Sequence, residues 1–114
     1  MKNTVSLKKD KEFRFLYKKG VSVPGDTVVL YYRANKYMQK TGLRLGITVS
    51  KKLGKAVVRN RVRRRLREAY RLQEDAFCPG WDIVVVARSR CVDAEFSRLK
   101  DALISLAGKA GILR

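Results

Sequence analysis

The pattern of apolar residues along this chain predicts an α+β fold, a two-layer sandwich of one small mixed sheet (about four strands) with three helices, in the order α-β-β-β-α-β-α. Three observations carry that expectation. Apolar residues recur at helical spacing near the start, centre and end of the chain. Between them lie segments rich in β-branched and aromatic residues. One of these, IVVVA at 83–87, is continuously apolar, as suits a strand covered on both faces near the middle of a sheet. At 114 residues and 46% apolar the chain can bury a single core, so residues 1–114 are read as one domain.

Each element has its own warrant. Asp10 is a good N-cap and Gly20 a good terminator, and Phe13, Leu16 and Tyr17 form one face of the helix between them. A short strand is expected at 21–23, before the Pro24–Gly25 turn. TVVLYYRAN (27–35) then reads as a strand, KYMQKTG (36–42) as a polar loop, and LRLGITVS (43–50) as a second strand. In the latter Leu43, Leu45, Ile47 and Val49 share a side, and the two strands are expected to pair as a hairpin. After a second helix, Pro79–Gly80 turns into the strand DIVVVARS (82–89), with Trp81 as a packing anchor. Asp93 is expected to cap a last helix with the stripe Phe96, Leu99, Leu103 and Leu106, ending at Gly108.

Charge narrows the function. Twenty-seven Lys and Arg face ten Asp and Glu, a net +17, which repels itself unless an anion neutralises it. Nucleic acid is the expected partner and an anionic membrane surface the second. The N-terminus lacks the apolar stretch of a secretory signal, and IVVVA is far too short to span a bilayer, so a soluble, cytoplasmic protein is expected. Cys78 and Cys91 form no CxxC and the chain has no histidine, so the thiols are expected to be free and the protein to hold no metal. Without histidine, and with its acids scattered, the chain has no evident nuclease centre of its own, and no catalytic residue is expected.

The charge concentrates in KAVVRNRVRRRLREAYR (55–71), where eight of seventeen residues are Lys or Arg. At 100° per residue from Val58, the residues Val62, Leu66, Ala69 and Tyr70 fall within an arc of about 120°, enough to dock a helix on a sheet. Asn60, Arg63, Arg64, Arg67 and Arg71 cluster opposite, with Arg61 and Arg65 on the far flank. Guanidinium suits such a ridge because it holds phosphate bidentately and stacks on bases. Arg59 breaks the pattern by pointing into the apolar arc, either to reach the cleft beside the sheet or simply to snorkel or cap a strand end. Upstream, Lys51, Lys52 and Lys55 with Gly54 form a basic loop feeding the helix N-terminus, a natural phosphate site without the P-loop pattern.

The stretch GITVSKKLGKAVVRNRVRRRLREAY (46–70) resembles the protein component of bacterial ribonuclease P, with its SKK-G-AV-RNR loop and basic helix. The likeness extends to LKKDKEFRFLYKKG (7–20), VVLYYR (28–33) and DIVVVAR (82–88), and is weakest after residue 90. It implies a left-handed strand–helix–strand crossover, against the usual rule. It also implies a role as the accessory subunit of an endoribonuclease whose RNA subunit, with bound magnesium, cuts the 5′ leader from precursor tRNA. The partners it implies are that catalytic RNA and precursor tRNA, with no membrane and no obligatory protein partner. By position, the resemblance assigns a leader-binding cleft to Phe13, Tyr17 and Tyr31, with Ser50 and Lys52 near its rim. It assigns RNA contact to Arg59, Asn60 and Arg61, and then to Arg63, Arg64, Arg65 and Arg67. Tyr17 departs from the family, where Phe is common.

Physics makes these roles reasonable, since single-stranded RNA is gripped by aromatic stacking beside a basic groove. Core packing is the alternative for each aromatic. A structural RNA-binding protein of similar sandwich fold, such as a ribosomal protein, would explain the charge but not an aromatic cleft. A membrane-surface protein would need bulky apolar residues exposed, whereas the Val58–Tyr70 arc is better spent on a core.

Overall fold

The computed structural model describes residues 1–38 and 42–114. Five strands and three α-helices follow in the order β1 (Thr4–Ser6), α1 (Asp10–Lys19), β2 (Val21–Pro24), β3 (Val28–Ala34), β4 (Leu43–Thr48), α2 (Ala56–Arg71), β5 (Trp81–Ala87) and α3 (Phe96–Ala110). The sheet order is β1-β4-β5-β3-β2, with β4 parallel to both β1 and β5, and β3 antiparallel to both β5 and β2. The α+β class and the expected short strand at 21–23 stand. A fifth strand, β1, joins the expected four; at three residues it carries no readable period.

The expected hairpin does not form. β5 lies between β3 and β4, paired with β3 from Val28↔Ala87 to Ala34↔Trp81 and with β4 from Leu43↔Trp81 to Thr48↔Val86. The physical reason is β5 itself, because a strand apolar on both faces is best satisfied with a neighbour on each edge. No two-residue turn of the Asn-Gly type joins β3 to β4 and forces them together. The polar loop between them lies partly outside the described residues, at 39–41. The connection from β4 through α2 to β5 is the strand–helix–strand crossover.

The sheet and the helices α2 and α3 make the main sandwich. Leu30, Leu45, Ile83 and Val85 from the sheet meet Val62, Leu66 and Tyr70 of α2 and Leu99, Leu103 and Leu106 of α3 in one buried core. Each such side chain contributes roughly 1.5–3 kcal/mol when fully buried. Trp81 is the anchor expected of it, packing against this core with its ring edge-on to Tyr32 at 5.7 Å. On the opposite face α1 covers a smaller cluster: Leu7, Leu16 and Val84, flanked by Phe13, Tyr31 and Val86.

Helix ends differ in detail from expectation. Asp10 lies inside the first turn of α1; Lys9 holds the cap position, where its N–H donates to the Glu12 carboxylate at 3.1 Å. Likewise Glu95, not Asp93, precedes α3, because residues 89–91 first complete a separate single turn. α3 also runs past Gly108 to Ala110 and stops at Gly111, whose φ of 76° is the left-handed conformation that glycine adopts freely. Gly20 closes α1 as expected. Both cysteines are free, and burial among apolar groups pushes the Cys91 thiol up to about 11, leaving it protonated and inert at neutral pH.

A candidate single-stranded RNA interface

Alternation along the strands sets the site's floor. With Leu43, Leu45 and Ile47 turned to the main core, Arg44, Gly46 and Thr48 face α1. Gly46 is required there, since a Cβ would overlap the Phe13 ring. Phe13 therefore sits directly against the strand, half-buried. One turn later the Tyr17 hydroxyl shares a 2.6 Å hydrogen bond with Thr48 Oγ1, and its ring meets Tyr31 edge-on with centroids 5.1 Å apart. Tyr17 remains 38% exposed. The three aromatics expected to share a cleft are thus brought to one place.

α1 is pinned at its start by charge. Arg44 donates from Nε and Nη2 to both carboxylate oxygens of Asp82, at 2.8 and 2.7 Å, and from Nη1 to Glu12 at 2.5 Å. Asn35 donates a further bond to Asp82 at 3.0 Å. The Asp82 and Glu12 carboxylates hold the Arg44 guanidinium ionised well beyond its ordinary range. Glu12 is held below the usual carboxylate range, chiefly by the Lys9 N–H, helped by Lys8 and Arg44.

The cleft opens at the edge of the sheet. β1 pairs with β4 only at Leu43–Leu45, so from Gly46 onward the outer edge of β4 has no strand beside it. Through that gap α2, which docks on the other face, reaches the α1 side. Arg63 lines a cavity of about 590 Å³ with Asp10, Phe13, Arg14, Tyr17, Ile47, Thr48 and Val49. A second hollow of about 260 Å³ lies beyond Phe13, lined by the N-terminal residues with Arg63 and Arg67. The aromatic cleft and the basic helix are therefore parts of one surface.

The arginines of α2 divide by environment. Arg61, Arg64 and Arg67 are exposed and form no ion pair among the described residues. Arg63 is half-buried and donates to Asn60 Oδ1 at 3.2 Å. Arg65 is turned inward, donating to the Ala94 carbonyl at 2.5 Å and so tying α2 to the loop before α3. Arg71 is paired with Glu68 at 2.5 Å, which lowers the carboxylate's pKa and raises that of the guanidinium. Arg59 is half-buried with its Nε lacking a hydrogen-bond partner, and it does not line the cleft; Arg63 and Arg67 do.

Ser50, Lys51, Lys52 and Lys55 are exposed on the turn between β4 and α2, beyond the cleft's Val49. Gly54 makes this turn possible, its φ of 144° being closed to most side chains. Sequence reasoning missed Arg14, Ile47 and Thr48. Thr48 was legible from strand alternation, and Arg14 from its place beside Phe13 on α1, whereas Ile47, on the core side of β4, is reached only through the open edge.

The acids do not fit a protein-held magnesium ion. Glu12 and Asp82 are taken by Arg44, Glu68 by Arg71 and Glu74 by the N-terminal residues. No group of three or more potential ligands gathers among the described residues.

A +17 α+β domain joining a ridge of guanidinium groups to a ring-lined cleft belongs to the class of RNA-binding proteins. Residues 1–111 match the family model described as Ribonuclease P. The chain is 40% identical over 113 residues to the ribonuclease P protein component of Alkaliphilus oremlandii, covering 99% of this chain and 96% of that one. The solved ribonuclease P protein of Staphylococcus aureus superposes with a TM-score of 0.84 at 35% identity, covering 96% of this chain and 97% of that one. That of Thermotoga maritima gives 0.79 at 30% identity, covering 89% and 93%. The chain belongs to the family of bacterial ribonuclease P proteins, the protein subunits of the ribonucleoprotein that removes 5′ leaders from precursor tRNA.

Proposed function

We propose that the chain acts as one RNA-binding domain whose two surfaces divide the labour of ribonuclease P. The cleft of Phe13, Tyr17 and Tyr31 holds the single-stranded 5′ leader, with Ser50 and Lys52 at its rim. The ridge of Arg61, Arg64 and Arg67, with Asn60 and the basic turn Lys51, Lys52 and Lys55, faces the catalytic RNA. Arg63 stands between them, while Arg59, Arg65 and Arg71 support the helix and border the interface. The observation that carries this reading is the shared cavity, in which Phe13 and Tyr17 of α1 meet Arg63 of α2 across the open edge of β4.

Bond breaking belongs to the RNA subunit, which binds the magnesium ions. The protein's contribution is positional and electrostatic. Stacked rings hold bases without sequence preference, at about 1–3 kcal/mol per base. Unpaired guanidinium groups lower the repulsion between leader, tRNA and catalytic RNA, and so favour substrate and magnesium binding by the RNA. This work requires neither a membrane nor a second protein.

Reconstitution at low magnesium tests the proposal. Adding the protein to its catalytic RNA should raise precursor tRNA cleavage, and the gain should shrink when the leader is shortened to one or two nucleotides. No gain in cleavage would favour a purely structural RNA-binding role.

A further inference from the structure

The N-terminal strand is held in an unusual way. β1 has three residues, and Val5 at its centre is 54% exposed, so burial of its own side chains contributes little to its attachment. Instead the Glu74 carboxylate, just beyond the C-terminus of α2 and itself 6% exposed, receives it. The N–H groups of Lys2 and Asn3 donate to the two carboxylate oxygens at 2.8 and 3.1 Å, and the Thr4 hydroxyl donates to Oε2. Thr4 also shares a 2.7 Å hydrogen bond with the Tyr70 hydroxyl. A buried carboxylate is costly unless such donors compensate it, and an apolar residue would serve the core better. This carboxylate is therefore committed to the chain's first residues, some seventy positions away.

What β1 leads into is the wall of the smaller hollow. Met1, Ser6, Leu7 and Lys8 line it from one side, with Phe13 and Ile47 between and Arg63 and Arg67 on the other. Phe13, Ile47 and Arg63 also line the larger cavity, so the two hollows form one trough that passes beside the Phe13 ring. Apart from Glu74, the wall is held by burial of Leu7 against Leu16 and Val84 and by two ladder bonds beyond β1's own pairing, from Leu43 N–H to Asn3 O at 2.9 Å and from Leu7 N–H to Leu45 O at 2.8 Å.

We infer that Glu74 is a positioning residue for leader binding. By anchoring β1, it fixes Ser6 and Lys8 opposite Arg63 and Arg67, so that the trough grips a polynucleotide backbone from both sides beyond Phe13. The inference rests on the leader-cleft reading above and extends the site to a segment and an acid that take no part in the basic helix or the aromatic cluster.

The test compares Glu74→Ala, Glu74→Gln, Thr4→Val and Tyr31→Ala in the reconstituted ribonucleoprotein, measuring affinity for precursor tRNA and for mature tRNA. Amide exchange of Leu7 and Leu43 in the same proteins reports whether β1 is attached. Glu74→Ala should speed exchange at both amides at least about tenfold and leave β5 protected. It should weaken precursor binding about five- to tenfold while mature tRNA changes less than about twofold. Glu74→Gln, which keeps an acceptor, should restore part of both effects. Thr4→Val should act in the same direction more weakly, and it decides the matter if Glu74→Ala fails to fold. Freed amides with unchanged precursor affinity, while Tyr31→Ala still weakens it, would overturn the role of Glu74 and leave the aromatic cleft standing. Equal losses for both RNAs would reduce Glu74 to a structural residue. A Tyr31→Ala protein that keeps full preference for precursor would overturn the cleft reading and this inference with it.

Discussion

Two aromatic pairs sit on opposite faces of the same sheet at nearly the same separation. Tyr70 and Phe77 lie with centroids 5.0 Å apart, each 2% exposed, within the core under α2. Tyr17 and Tyr31 lie 5.1 Å apart beside α1, with Tyr17 38% exposed. The difference is in what covers them. Two long helices seal one face, whereas α1 alone crosses the other, leaving rings rigid but open. Rigidity without burial is what a stacking platform needs, because a base can then bind without the cost of ordering the side chain.

The covered face should dominate stability. Leu66→Ala removes a side chain that is 1% exposed between α2 and the sheet, and should cost about 2–5 kcal/mol in urea unfolding. On the open face Arg44→Ala should cost about 2–4 kcal/mol, since it leaves buried Asp82 without its bidentate partner. A loss below about 1 kcal/mol for Arg44→Ala would mean that α1 is held by Leu16 and its neighbours alone. Tyr31→Ala sharpens the contrast. It should lower precursor tRNA affinity by about 1–3 kcal/mol, with a smaller loss of folding stability than Leu66→Ala. The reverse order would make Tyr31 a core residue.

How much of this was legible in the sequence follows from the range of each signal. The stripe Val58, Val62, Leu66, Ala69 and Tyr70 is a local period, and the helix docks along it. The central place of β5 was likewise written in its apolar run. The false hairpin of β3 with β4 shows the limit, because pairing of strands distant in sequence depends on which neighbour completes the sheet. The site divides in the same way. Phe13, Tyr17 and Tyr31 could be placed on their elements, but Arg63 enters the cleft only because β1 is too short to close the edge of β4. Nor does anything local distinguish Arg65, bonded to Ala94, from the exposed Arg64 beside it.

Acid should separate the two faces again. Burial alone would raise the pKa of Glu74, but the Thr4 hydroxyl, the Lys2 and Asn3 N–H groups and the nearby terminal amine together bring it below the ordinary 4.5. Glu12 is lowered too. A depressed carboxylate contributes stability that is present in full above its unfolded pKa and is lost as pH falls through the folded value. Below about pH 4.5, amide protection at Leu7 and Phe13 should therefore decline before protection in β5 does. Simultaneous loss along all strands would mean that β1 and α1 are no more weakly held than the core.

The smallest expected effect on folding is at the ridge, where the effect on RNA binding is distinct. Arg64 and Arg67 point away from the core and have no ionic partner among the described residues, so Arg64→Ala with Arg67→Ala should change stability by no more than about 0.5 kcal/mol each. If both hold phosphate, their loss removes released counterions as well as affinity. The slope of log affinity for the catalytic RNA against log salt should flatten by about 0.7–0.9 per lost contact. Because a slope counts charges, it separates this mechanism from a loss of packing, which would lower affinity equally at every salt concentration. An unchanged slope would take this part of α2 out of the RNA interface and leave the open aromatic cleft to account for binding on its own.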